Sequence, residues 1–77
     1  MITIYSKANC PNCEIAKQHC ALRGIKYTEV VLDDEEKMKA FKAIYPTVRA
    51  VPYVIAEDGS VIGGFSAFKT WLHSRES

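Results

Sequence analysis

Two cysteines, Cys10 and Cys13, stand three positions apart just after an apolar N-terminal run, and this placement constrains the fold more than any other feature of the chain. Ile2-Thr3-Ile4-Tyr5 alternates β-branched and aromatic residues and reads as a strand. Pro11 suits the first position of a helix, because its missing N–H would be unpaired there anyway. A strand therefore leads, through a loop over residues 6–9, to a helix whose mouth carries both thiols. A helix start offers unpaired backbone N–H groups and the positive end of a dipole. Both stabilise the thiolate, which is the reactive form of cysteine. Cys10 is accordingly the candidate nucleophile. Cys13, one turn inside, is the candidate resolving thiol.

The first helix is predicted to run to Arg23, with Gly24 stopping it. Cys13, Ala16 and Cys20 share one of its faces. Lys26 to Leu32 reads as a second strand, parallel to the first through a right-handed crossover. Asp33 and Glu36 resemble a capping box for a second helix, with Met38, Phe41 and Ile44 or Tyr45 on its apolar stripe and Pro46 ending it. Val51 to Ala56 and Ser60 to Ile62 form a hairpin around Asp58-Gly59. Ser66 caps a last helix that turns Phe68, Trp71 and Leu72 to the core, and His73 to Ser77 read as a tail.

A chain of 77 residues makes one domain, 1–77, with a modest core. A net charge of +1, with its basic residues scattered, gives no nucleic-acid or membrane signal. No stretch is long and apolar enough to span a bilayer, and the N-terminus lacks the pattern of a secretory peptide. Three cysteines argue against a purely structural disulfide framework, and a reducing, cytoplasmic compartment is the simplest expectation. There, a Cys-x-x-Cys pair is catalytic or metal-binding. Cys20 and His19 could add ligands to a zinc site, but zinc's four ligands often come from two paired knuckles, and no second Cys-x-x-Cys is present. Redox chemistry is the better reading, and no metal is expected. Cys20 reads as a core residue. His19 and His73 read as surface or boundary residues, and Trp71, Phe68, Phe41 and Tyr27 as core.

The strand, the Cys10-Pro11-Asn12-Cys13 motif, a distant Val51-Pro52 before a hairpin, and Ile62-Gly63-Gly64 after Asp58-Gly59 together resemble the glutaredoxin family. Small bacterial and bacteriophage members are similar in length. Lys7, Ala16-Lys17 and Arg49-Ala50 add to the resemblance, which spans most of the chain in order. It implies a thioredoxin-like α/β fold, β-α-β-α-β-β-α, with a four-stranded mixed sheet flanked by three helices. It implies a monomeric thiol–disulfide oxidoreductase that serves electron transport and cell redox homeostasis. Such an enzyme reduces protein disulfides or glutathione mixed disulfides with electrons from glutathione, and ribonucleotide reductase is a typical partner.

The resemblance also implies ligand residues. Pro52 is expected in the cis form, facing the cysteines and leaving the Val51 backbone free to pair with an extended ligand. From the residues alone, a strand-start proline is the simpler reading. Lys7 and Arg49 are candidates for a glutathione carboxylate, although either alone reads as a solvated surface charge. Gly63 and Gly64 permit close backbone approach, and Phe65 and Ser66 offer N–H groups to the γ-glutamyl carboxylate. Tyr5 and Tyr53 are placed to line the site or the core. Asn12 departs from the family, which commonly carries Tyr there; this loses an aromatic wall beside the ligand. Asn12 and the Gly64-Phe65 pair leave open a redoxin reduced by thioredoxin reductase. A dimeric iron–sulfur carrier using Cys10 and glutathione is disfavoured by Pro11 and by the presence of Cys13.

Overall fold

Alternation along Ile2–Ser6 buries Ile2, Ile4 and Ser6 on one side and leaves Thr3 and Tyr5 on the other, which makes this strand, β1, the two-faced centre of a sheet. The structure is a computed structural model and describes residues 1–76. Elements follow in the expected order: α1 (Pro11–Arg23), β2 (Tyr27–Val31), α2 (Glu35–Ile44), β3 (Tyr53–Ile55), β4 (Val61–Gly63) and α3 (Phe65–Glu76). The sheet order is β2-β1-β3-β4. β1 pairs parallel with β2 and antiparallel with β3, and β3 pairs antiparallel with β4. This is the four-stranded mixed sheet with three helices that the family resemblance implies.

The principal core lies on the Ile2/Ile4 face. Ile2, Ile4 and Val54 from the sheet meet Ala16 and Cys20 of α1 and Phe68 and Leu72 of α3. The other face carries Tyr5 and Tyr53, and Phe41 of α2 packs on both, with ring centroids 4.8 and 5.9 Å away. Gly24 ends α1 in the left-handed conformation (φ 67°), where glycine pays no Cβ penalty, and its N–H reaches back to Ala21.

Several boundaries differ from those predicted, each for a local reason. Asp34, not Asp33, caps α2: its carboxylate accepts from the Lys37 N–H at 2.7 Å. Asp33 binds the Lys37 ammonium instead, and Lys37 rather than Glu36 occupies the capping-box position. Of the two residues left open for the inward position, Tyr45 takes it, against Phe41 and Tyr53, and Ile44 is 65% exposed. β3 begins after Pro52, which has no N–H to give to a ladder. β4 sits one residue later than predicted, beside a register shift at Val54/Ile55. Ser66 is not a cap: α3 already begins at Phe65, and its first backbone bond runs from the Phe68 N–H to the Gly64 carbonyl. Residues 73–76 continue that helix rather than trailing off, and Ser77 lies outside the described residues.

Ser6 is the buried polar residue of the core, and its hydroxyl donates to Glu29 Oε2 at 2.6 Å. The same oxygen lies 3.0 Å from Lys17 Nζ, which also reaches Glu14 at 2.8 Å. The Ser6 hydroxyl, then Lys17, holds the Glu29 carboxyl below its ordinary range. A carboxyl lowered on folding stabilises the fold above its unfolded pKa, and that stabilisation is lost as pH falls through the folded value. Glu29→Gln is therefore expected to cost about 1–2 kcal/mol at pH 7. The deficit should close towards pH 3. Urea unfolding of both proteins at the two pH values checks this; a constant difference would contradict it.

Candidate functional site

Asn9 adopts a left-handed backbone (φ 57°), which asparagine tolerates better than most residues. That turn swings the chain from β1 into α1, with Pro11 opening the helix. Cys10 becomes the N-cap, and its Sγ accepts from the Cys13 N–H at 3.2 Å. This is the helix-start environment that favours negative sulfur. Cys10 and Cys13 are joined as a disulfide with Cα atoms 5.2 Å apart, an ordinary separation for such a bridge. Cys13 is 1% exposed, whereas Cys10 is half-buried and reaches the surface beside Asn9, Pro11 and Glu14. The accessibility of the two thiols therefore differs in the sense predicted.

The Val51–Pro52 bond is cis, as expected. The Val51 carbonyl oxygen lies 3.8 Å from Cys10 Sγ, so this segment directly flanks the redox pair. A Cβ added at Gly64 would point to within 4.0 Å of the Pro52 carbonyl oxygen, which sets the start of α3 against the same segment. Phe65 and Ser66 form the first turn of α3, where backbone N–H groups have no partner within the helix. Phe65 packs its ring against the core while Ser66 is exposed. Gly63 has φ 121°, and a Cβ there would meet Ala67 at 2.9 Å, so glycine is required at this approach.

Lys7 and Arg49 lie far apart in sequence but line one groove together with Val51. Lys7 and Arg49 thus share a depression with Val51, whose carbonyl stands beside Cys10. Asn12 is exposed on the first turn of α1. Tyr5 and Tyr53 do not line the groove; they join Phe41 and Tyr45 in an aromatic cluster on the sheet. Burial, then the Tyr45 phenol, raises the Tyr5 pKa.

Cys20 is fully buried in the core and burial pushes its thiol up, so it does not join the pair. His19 turns to Arg23, with Nδ1 and Nη1 2.9 Å apart. Among the described residues, no three His, Cys, Asp or Glu side chains gather as a metal site. No helix there is long and apolar enough to cross a membrane. Sequence reasoning missed Lys42, which lines the groove beside Lys7 and Arg49 and donates from Nζ to the Val48 carbonyl. No local signal in the sequence singles it out.

Comparison with known proteins agrees with this geometry. The glutaredoxin family model matches residues 2–62. The glutaredoxin-like protein NrdH of Lactococcus lactis subsp. cremoris is 34% identical over 65 residues, which cover 84% of this chain and 88% of that protein. Glutaredoxin 1 from Francisella tularensis, solved with cacodylate, superposes with a TM-score of 0.82 at 26% identity, covering 97% of this chain and 94% of that one. A buckwheat glutaredoxin–glutathione complex gives a TM-score of 0.81 at 26% identity over 97% of this chain and 70% of that one. With a match that runs from β1 into β4 and a Cys-x-x-Cys pair at the mouth of the first helix, this chain belongs to the glutaredoxin family of thiol–disulfide oxidoreductases.

Proposed function

We propose that this protein reduces disulfides in other proteins, and glutathione mixed disulfides, with electrons from glutathione, acting as a monomer in the cytoplasm. The observation that carries the reading is the groove in which Lys7 and Arg49 adjoin Val51, whose carbonyl stands beside Cys10 Sγ. A tripeptide with two carboxylates finds there two cations, an extended backbone and, past Pro52, the free N–H groups of Phe65 and Ser66.

The Cys10 thiolate attacks one sulfur of the substrate disulfide. A Cys10–substrate disulfide forms, and the other substrate sulfur leaves as a thiolate and takes a proton. Cys13 then loses its proton and attacks Cys10 Sγ. The second substrate thiolate leaves, and the Cys10–Cys13 disulfide remains. Two electrons and two protons have passed to the substrate. Two glutathione thiols restore the pair and leave as glutathione disulfide. Asn12 takes no covalent part; as an exposed side chain on the first turn it is a contact for the bound tripeptide. Ribonucleotide reductase, whose turnover oxidises a cysteine pair, is a protein substrate of the required chemistry.

A second reading has thioredoxin reductase as the electron donor. It is favoured by Asn12, which leaves the rim of the cysteine pair without the tyrosine wall common in the family. NADPH consumption separates the two. The protein is supplied with a disulfide substrate and either glutathione with glutathione reductase or thioredoxin reductase alone. Faster turnover with glutathione is expected; turnover with thioredoxin reductase alone would replace the first reading by the second.

A further inference from the structure

The groove holds more positive charge than one glutathione carboxylate needs. Lys7 comes from the loop between β1 and α1, Lys42 from α2, and Arg49 from the segment before β3. No carboxylate lines the groove, and among the described residues none of these three cations makes an ion pair. The nearby Asp33 and Asp34 are engaged by Lys37, and Glu29 by Lys17. Lys42 is held in place by the Val48 carbonyl, so its charge is fixed to the groove wall. Leu32, with Met38 and Phe41 of α2, supplies an apolar side.

We propose that this groove receives an acidic segment flanking the disulfide of the protein substrate. The proposal rests on the reading of the chain as a reductant of protein disulfides, and it names the class of protein preferred. A substrate linked to Cys10 must pass Val51, because the Val51 carbonyl lies 3.8 Å from Cys10 Sγ. The groove that Val51 lines also carries Arg49, Lys7 and Lys42. Two of these suffice for one carboxylate; the third, with the apolar wall, suits a longer chain carrying further acidic side chains. Fixed charges of one sign beside a low-dielectric wall focus the field and raise the association rate of an oppositely charged partner. The preference therefore appears in the encounter and weakens with salt.

The test uses the fully reduced protein in single-turnover reactions with three disulfide-bridged peptides, so that no outside reductant enters. The peptides differ only beside one cysteine, where they carry two Glu, two Gln or two Lys. The Glu peptide is expected to react about 10-fold faster than the Lys peptide at low salt. The Gln peptide should fall between them, and 1 M salt should compress the series. In the Lys7→Glu, Arg49→Glu double variant the order is expected to reverse. Equal rates for the three peptides, a Lys preference in the wild type, or an unchanged order in the charge-reversed variant would overturn the proposal. If folded, reduced protein reacts with none of the peptides, the disulfide-reductase reading itself fails. Equal, measurable rates remove only the acidic groove.

Discussion

Cys10→Ser is expected to lose disulfide reduction by about a factor of 10³ or more, because a hydroxyl cannot replace the thiolate as attacking group. The placement of the two cysteines predicts a different outcome for the partner residue. Cys13 is buried and reaches only the sulfur of Cys10, with which it is bonded. Cys13→Ser should therefore still form the mixed disulfide but fail to release a protein substrate by itself. Its turnover of glutathione mixed disulfides should persist, since a glutathione thiol can do the releasing. Initial rates on a protein disulfide and on a small glutathione adduct, for both variants, check this pattern. Full activity in Cys10→Ser would reverse the assignment of roles.

The second large effect is on stability. Phe68 is fully buried between the sheet and α1, and its ring stacks on Trp71 with centroids 5.8 Å apart. Phe68→Ala removes an aromatic side chain from the middle of the core, a change that typically costs about 3–5 kcal/mol. A small domain has little to spare: total stabilities of about 5–15 kcal/mol are usual, and a chain this short buries a modest core. Each kcal/mol lowers the melting temperature of a domain this size by about 4–8 °C. The variant is expected to melt tens of degrees lower or to be substantially unfolded at 37 °C. Thermal and urea denaturation followed by circular dichroism measure the loss. A loss below about 1 kcal/mol would mean that the core collapses around the vacated space.

The elements that place the redox pair were legible because each carried its own punctuation. Ile2–Tyr5 alternates, Pro11 can only open the helix, and Gly24 supplies the left-handed stop found at the end of α1. The parallel β1–β2 pair followed from the helical crossover and the β3–β4 pair from the hairpin signal at Asp58-Gly59, whereas the antiparallel pairing of β1 with β3 is seen only in the structure. The errors came where neighbours compete on equal terms. Asp33 and Asp34 are chemically identical caps, and only the chain path decides which reaches the Lys37 N–H. By contrast, the choice between Ile44 and Tyr45 for the inward position was left open by the sequence, and the aromatic cluster selects the tyrosine. At α3, the backbone of Gly64 begins the helix, and the preference of serine for capping is overridden.

The site divides in the same way. Cys10 and Cys13 are marked by a local motif, and the structure joins them at the mouth of α1; the cis form of Pro52 was expected only through the family pattern, since its own residues suggest a plain strand start. Lys7 and Arg49 were found only through the family pattern, and Lys42 was missed. Nothing local distinguishes a groove lysine from any other lysine on a solvated helix. Its place beside Lys7 and Arg49 emerges only when three separate segments converge on one depression.

The most direct test of the division of labour between the cysteines is to trap the intermediate. Reduced Cys13→Ser protein is mixed with a disulfide-bridged peptide, quenched in acid and digested, and the peptide adduct is located by mass spectrometry. A single adduct on Cys10 is the predicted result, with Cys20, buried in the core, unmodified. An adduct on Cys20, or an unmodified Cys10 in folded protein, would contradict the account.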